Sequence, residues 1–180
     1  TGWVATAHGP SLQQISGCRV VAICSRKKSR ASQFINDHKL TDAVPYGRLS
    51  DFLKHKDLDI VMLCTPHPNH PAEAIAAARA GKHIIIEKPA SLNRKDLHRM
   101  VAAVNKSGVQ TSVCFELRWG GLFRNIKAFL KQGLLGNVYY GETSYFHGIG
   151  PWYGQYDWNI KKRMGGDALL TAGCHALDGL

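Results

Sequence analysis

The sequence predicts an α/β fold, a doubly wound parallel sheet over residues 1–116 followed by the start of a second α/β unit over residues 117–180. Three observations carry this. Short apolar runs alternate with helical patterns along the first two thirds of the chain, and the clearest of those helices has proline at its start and glycine just past its end. A glycine turn of the kind that opens such folds stands at the beginning. After Glu116 the alternation stops and a different pattern takes over. With 180 residues, 44% apolar and 20% charged, the chain has the composition of a globular protein, which excludes collagenous, mucin-like and disordered classes.

Taken in order, Thr1-Gly2-Trp3-Val4-Ala5 reads as the tail of a G-x-G-x-x-G/A turn, whose first glycine and preceding strand would come before Thr1. The chain therefore reads as part of a longer one. A helix follows over 4–15, then a strand over 19–24, a helix over 29–38 and a short helix after Ser50. Residues 59–64 (Asp-Ile-Val-Met-Leu-Cys) form a nearly continuous apolar run stopped by Thr65-Pro66, the pattern of a central strand covered on both faces. Pro71 sits in the first turn of an alanine-rich helix that stops at Gly81. Next come a strand over 83–87, a helix running from an Asn93 cap to Gly108, and a strand over 110–115. The second unit shows a helix over 122–132, a Gly-Leu-Leu-Gly turn, a partly alternating strand over 137–146, and a terminal helix capped by Gly165-Gly166-Asp167. One long strand and two helices do not close a core, so this unit reads as incomplete.

The net charge of +10 raises the question of a polyanionic partner. Its distribution argues against one: residues 1–90 carry 12 basic and 7 acidic side chains, residues 91–180 carry 11 and 6, and no stripe collects the excess. Arg26-Lys27-Lys28 with Arg30 is the tightest basic run and has no interleaved aromatic residue, so a local phosphate site fits better than nucleic acid. Five cysteines without C-x-x-C spacing read as unpaired thiols of a reducing, cytoplasmic compartment, and no apolar run approaches the ~20 residues of a membrane span. His67 and His70 form H-x-x-H on a loop with no thiolate or carboxylate nearby, so no metal site is expected.

Four places carry candidate chemistry. Ser25-Arg26 ends the second strand 23 residues after Gly2, where a dinucleotide fold reads the adenosine ribose; donors and positive charge there suit a 2′-phosphate, with a solvated basic loop as the plain alternative. Thr65-Pro66 follows the central strand, and amides at the next helix start line a pyrophosphate-sized cleft. Glu87-Lys88-Pro89 closes the following strand at the carboxyl edge, where a lysine is either a donor to a substrate oxygen or an ordinary surface residue. Thr171, His175 and Asp178 share one stripe of the terminal helix, with Leu170, Cys174 and Leu177 on an apolar face, so His175 is either structural or a general base.

Together, Gly2-Trp3-Val4-Ala5, Cys64-Thr65-Pro66-x-x-x-His70, Glu87-Lys88-Pro89, Arg118 and Gly165-Gly166-x-x-x-Leu170-x-x-Gly173-x-His175-x-x-Asp178 resemble the glucose-fructose oxidoreductase/inositol dehydrogenase/rhizopine-catabolism (Gfo/Idh/MocA) family. The resemblance implies an N-terminal Rossmann-type domain binding NADP, with NAD as the alternative, and a C-terminal α/β domain with a large, open, mainly antiparallel sheet that joins subunits into a homo-oligomer. It implies hydride transfer between nicotinamide and a hydroxyl or carbonyl of a sugar, cyclitol or related polyol. Gly2, Trp3, Val4, Ser25 and Arg26 would bind the cofactor from one side, and Thr65, Pro66, His70, Glu87 and Lys88 from the other. Lys88 would bond the reacting oxygen and His175 would take the proton. Where many members carry an acidic residue four positions before the histidine, this chain has Thr171, which orients or relays without adding charge. Arg118, Trp158, Lys161 and Arg163 would line the substrate pocket. Two other readings of the same resemblance are an NAD-dependent glycoside hydrolase with a transiently reduced cofactor and a non-catalytic cofactor-binding regulator.

Overall fold

Strand ends, helix caps and one shared core organise the first unit. A computed structural model describes residues 2–148, 150, 158 and 160–180. Five short strands are present, β1 (Ala22–Cys24), β2 (Val44–Tyr46), β3 (Ile60–Leu63), β4 (His83–Ile86) and β5 (Thr111–Val113). All pair in parallel, β1 with β2 and β3-β4-β5 in that order. The helices α1 (Trp3–Gln13), α2 (Lys28–Asp37), α3 (Leu49–Phe52), α4 (His70–Arg79) and α5 (Arg94–Ser107) alternate with them. This is the expected doubly wound arrangement. In the strand order 3-2-1-4-5-6, the strand before a first glycine turn lies between the two that correspond to β1 and β3, which is where the hydrogen bonding here divides into two sheets.

The core forms where β3 and β4 press against α4 and α5. Val61, Leu63, Ile84 and Ile86 are buried together with Ala74, Ala77, Ala78 and Met100. The alanines let α4 approach the sheet closely, and each buried isoleucine contributes about 1.5–3 kcal/mol through the apolar area removed from water. Local signals set the helix limits. Pro71 stands in the first turn of α4, and Gly81 beyond it has φ +71°. Asn93 accepts a bond from the Asp96 amide at 2.9 Å to start α5, and Gly108, at φ +67°, ends it.

Several expectations need correction. Among the described residues the strand over 59–64 pairs on one side only, β3 with β4, and its Ile60 is 51% exposed while Val61 and Leu63 are buried. The triple-isoleucine strand has a neighbour on both sides instead. β2 escaped the sequence reading because Pro45 suggests a loop. Its place at an edge removes the objection, since Val44 N–H and Tyr46 O make the bonds to β1 and the nitrogen of residue 45 faces away. Residues 137–146 form no strand, and most of their side chains lie open to solvent, up to Phe146 at 95%, with Thr143 and Tyr145 half-buried. No strand among the described residues pairs with them.

In the second unit α6 (Gly121–Lys131) matches the expected helix. A short helix α7 (Lys162–Gly165) precedes the Gly166 turn, and the expected terminal helix after it is a π-helical turn over Leu169–Gly173 that runs directly into α8 (Cys174–Gly179). Gly166 has φ +85°, and a Cβ there would come 3.0 Å from Leu92. The Asp167 carboxylate does act as a cap, accepting from Leu170 N–H at 2.8 Å. Leu177 does not face a core; it is exposed, and the stripe with His175 is the buried one.

Candidate active site

The carboxyl ends of β3, β4 and β5 converge with the start of α1 and with α8, and each contributes a polar side chain. At the end of β3, Thr65 Oγ1 donates to Glu73 Oε2 at 2.6 Å. Burial raises the Glu73 carboxyl above its usual value, and the Thr65 bond opposes that. His70 is fully buried, with Nε2 2.7 Å from Thr65 O and Nδ1 2.9 Å from Pro89 O. Both ring nitrogens are thus committed to carbonyls of the two turns, so His70 serves the site by tying those turns together and presents no nitrogen to a ligand.

At the end of β4, Glu87 lies under a set of donors. His8 Nε2 of α1 donates to Oε1 at 2.7 Å, and Lys88 N–H donates to Oε2 at 3.2 Å. Burial alone would raise this carboxyl, yet these bonds hold it below its usual value, so Glu87 is a carboxylate at neutral pH. His8, Glu87 and Cys114 bring their ligand atoms within 4.8 Å of one another. The Cys114 thiol, pushed up to about 12 chiefly by burial and further by Glu87, joins them as a proton-bearing neighbour of the carboxylate.

Lys88 reaches across to the second unit and donates from Nζ to Thr171 O at 2.8 Å. Thr171 is thereby placed by its backbone; its hydroxyl donates to Gly165 O at 2.8 Å and so is not the group that orients His175. Gly165 O also accepts from His67 Nδ1–H at 3.2 Å. His67 packs edge-on against Trp158 with ring centroids 4.9 Å apart, and burial lowers its pKa to about 4. A neutral His67 therefore joins the β3 turn to the second unit.

His175 lies in α8, 1% exposed, with Nε2 3.4 Å from Glu116 Oε1. Burial lowers its pKa and Lys88 lowers it further, while Glu116, Asp178 and Glu87 raise it; the net direction is down. Arg118, which the family resemblance implies for the substrate pocket, grips Asp178 with Nε at 2.8 and 2.9 Å and with a terminal nitrogen, while its guanidinium stands 5.3 Å over the Phe115 ring. Lys161 and Arg163 are exposed at the beginning of α7. Gly2 opens α1, where a Cβ would lie 3.7 Å from Cys64 O, so the glycine turn rests against the end of β3. The Trp3 side chain lies outside the described residues, and Val4 and Pro66 are half-buried. Ser25 follows β1 with its amide bonded to Tyr46 O, and Arg26 is exposed beside it.

The structure thus brings Lys88, His175, Glu87, Thr65 and the Gly2 turn to one edge and leaves Arg26 at the neighbouring strand end. Sequence reasoning missed His8, Cys114 and Glu116. The strand-end rule that singled out Lys88 applies equally to Glu116, three residues after β5, and would have found it.

Residues 1–115 match a model described as "Oxidoreductase family, NAD-binding Rossmann fold", and residues 123–180 match the GFO/IDH/MocA C-terminal domain. The chain is 28% identical over 159 residues to trans-1,2-dihydrobenzene-1,2-diol dehydrogenase of Xenopus tropicalis, covering 88% of this chain and 46% of that protein. It is 30% identical over 135 residues to the uncharacterized oxidoreductase YrbE of Bacillus subtilis, covering 75% and 39%. The chain spans about half the length, or less, of these curated relatives. Among solved structures, the WlbA dehydrogenase from Bordetella pertussis, in complex with NADH and UDP-GlcNAcA, matches with TM-score 0.82 and 27% identity over 98% of this chain and 55% of WlbA. KijD10, a 3-ketoreductase from Actinomadura kijaniata in complex with TDP-benzene and NADP, gives 0.62 and 27% over 70% and 39%. Given two family models in register with the two units and the parallel sheet described above, the chain belongs to the GFO/IDH/MocA oxidoreductase family.

Proposed function

We propose that this chain serves an NAD(P)-dependent dehydrogenase that transfers hydride between the nicotinamide and a hydroxyl or carbonyl of a sugar, cyclitol or related polyol. The observation that carries the reading is the meeting of Lys88 and His175 at the carboxyl edge, with Lys88 Nζ fixed to the backbone of Thr171, four residues before the histidine. The Gly2 turn at the head of α1 fits a dinucleotide, because it sets a helix N-terminus against the end of β3, and a helix N-terminus favours phosphate. A nicotinamide bound there supplies the hydride acceptor or donor. Lys88 holds the reacting oxygen and stabilises negative charge on it, His175 takes or gives the hydroxyl proton, and the Glu87 carboxylate keeps the Lys88 backbone in place. Arg26 favours NADP through its charge at the 2′-phosphate. That one relative acts on a diol and another was solved with a nucleotide sugar supports a polyhydroxylated substrate.

In this reading residues 1–116 hold the cofactor, and residues 117–180 contribute to the substrate pocket and to contacts in a homo-oligomer. Trp158, Lys161 and Arg163 would line that pocket in this reading. All five cysteines are free and no helix among the described residues is long and apolar enough to cross a membrane, which supports a cytoplasmic setting. The test is a panel of polyols and sugars offered to the full protein with each cofactor, followed at the reduced-nicotinamide absorbance. Reduced cofactor formed in proportion to oxidised product supports the dehydrogenase; a sugar released with no net reduction points to a hydrolase.

A further inference from the structure

The enclosure of His175 has an internal asymmetry. Its ring is held between Phe115, edge-on with centroids 6.1 Å apart, and Tyr145 at 5.2 Å. Nε2 faces the Glu116 carboxylate at 3.4 Å, whereas Nδ1 is buried without a hydrogen-bond partner among the described residues. Buried polar atoms are rarely left unpaired, and one in a ring beside a carboxylate calls for an explanation. Glu116 comes from the turn over Glu116–Trp119 that follows β5, and that turn is attached to α8 at a second point. Arg118, two residues after Glu116, grips Asp178, three residues after His175. The Arg118–Asp178 ion pair and the Glu116–His175 contact therefore hold the turn and the helix in one register, and the approach of Glu116 to the ring is set by more than its own side chain.

We propose that Glu116 is the positioning residue of the proton transfer, keeping a proton on Nε2 of His175 so that the Nδ1 lone pair is the one that receives the proton of the substrate hydroxyl. The proposal rests on His175 being the base of the reaction described above. In the step itself the hydroxyl O–H bond breaks, its proton goes to Nδ1, and the carbon gives its hydride to the oxidised nicotinamide. The imidazolium that results is matched by the Glu116 charge. Other charges face the ring. Lys88 opposes protonation, while Asp178 and Glu87 favour it. Asp178 already carries the Arg118 pair and Glu87 the bonds from His8 and Lys88 N–H, which leaves Glu116 as the carboxylate in direct contact with the ring. The role falls to a residue 59 positions away in sequence, in a chain where the position one turn before His175 is a neutral Thr171.

The experiment compares the parent protein with Glu116→Gln and Glu116→Asp. Glu116 is 63% exposed, so neither change disturbs the fold, and thermal melting checks this. The first readout needs no activity: nitrogen NMR of His175 in the resting protein, titrated with pH. The parent is expected to carry its proton on Nε2. Glu116→Gln is expected to titrate lower by about half a unit or more, because burial then acts without the opposing carboxylate, and Glu116→Asp to keep most of the parent value. The second readout is the pH profile of kcat/KM for oxidation, whose rising limb shifts to lower pH in Glu116→Gln while kcat falls about tenfold and KM changes little. An unchanged His175 titration and tautomer in Glu116→Gln overturns the proposal whatever the activity. A shifted titration in a protein that oxidises nothing on the panel upholds the positioning by Glu116 and overturns the dehydrogenase reading instead.

Discussion

At the scale of single residues, the site is a matter of which groups keep their charge. Arg26 is exposed at the end of β1 and free to swing toward a phosphate. One charge-assisted bond contributes roughly 1.5–3 kcal/mol, so Arg26→Ala should weaken NADP by about ten- to a hundredfold and leave NAD nearly unchanged in calorimetric titration. Equal affinities of the parent for the two cofactors would make Arg26 a solvated loop residue. His175 is pulled below the ordinary histidine value of about 6.5 by burial, so the rising limb of kcat/KM for oxidation belongs on the acid side of that value, since the unprotonated ring is the active form. His175→Ala should remove the limb and cost about a hundred- to ten-thousandfold. The sequence alone points to a histidine titrating near the unperturbed value with Thr171 beside it. Burial and the commitment of the Thr171 hydroxyl to Gly165 O are both tertiary facts, and no local pattern encodes them. Lys88 was legible because strand-end position and the Glu-Lys-Pro order are properties of the chain itself.

At the scale of elements, strong periodicity and caps were readable, and pairing was not. The Asn93 cap, the Pro71 start and the Gly81 and Gly108 stops all appear where the residues place them, because each acts within a few positions. Residues 137–146 alternate like a strand, but a strand exists only where a partner offers its backbone, and the described residues offer none. The terminal helix begins after the Gly166 turn, as its residues suggest, but its first half is a π turn, in which Thr171 O meets Lys88 Nζ across the units, a contact that no local pattern encodes. One joint between elements depends on pH. His67 is neutral because burial lowers its pKa to about 4, and its Nδ1–H holds Gly165 O. The folded state binds fewer protons there than the unfolded chain, so this contribution is whole above pH 6.5 and fades as pH falls toward 4, by at most about 3 kcal/mol. Stabilities from urea titrations at pH values between 7 and 4 should fall by up to that amount more in the parent than in His67→Gln; parallel stability–pH curves would remove His67 from the joint.

At the scale of the whole molecule, the two units differ in how well they are covered. Buried apolar residues concentrate in the first, whereas Leu122, Ile126, Phe129 and Leu130 on α6 and Tyr139, Tyr140 and Phe146 beyond it are open to solvent. Patches of this kind drive association. The 180-residue chain in solution is accordingly expected to elute from size exclusion as an associated species and to bind a hydrophobic dye, and a monodisperse monomer with a sharp unfolding transition would contradict this. The fold class was legible at this scale because alternation of strand and helix is a property of the whole chain, and the return of α8 to the end of β5 was not, because it depends on pairings such as Arg118 with Asp178, 60 residues apart. The central claim is that Lys88 acts in hydride transfer at this edge, and the measurement that tests it most directly is steady-state turnover of Lys88→Met alongside cofactor affinity. Loss of one preorganised donor to a developing oxyanion predicts turnover lower by about a hundred- to a thousandfold with cofactor affinity little changed, and near-normal turnover would contradict the account.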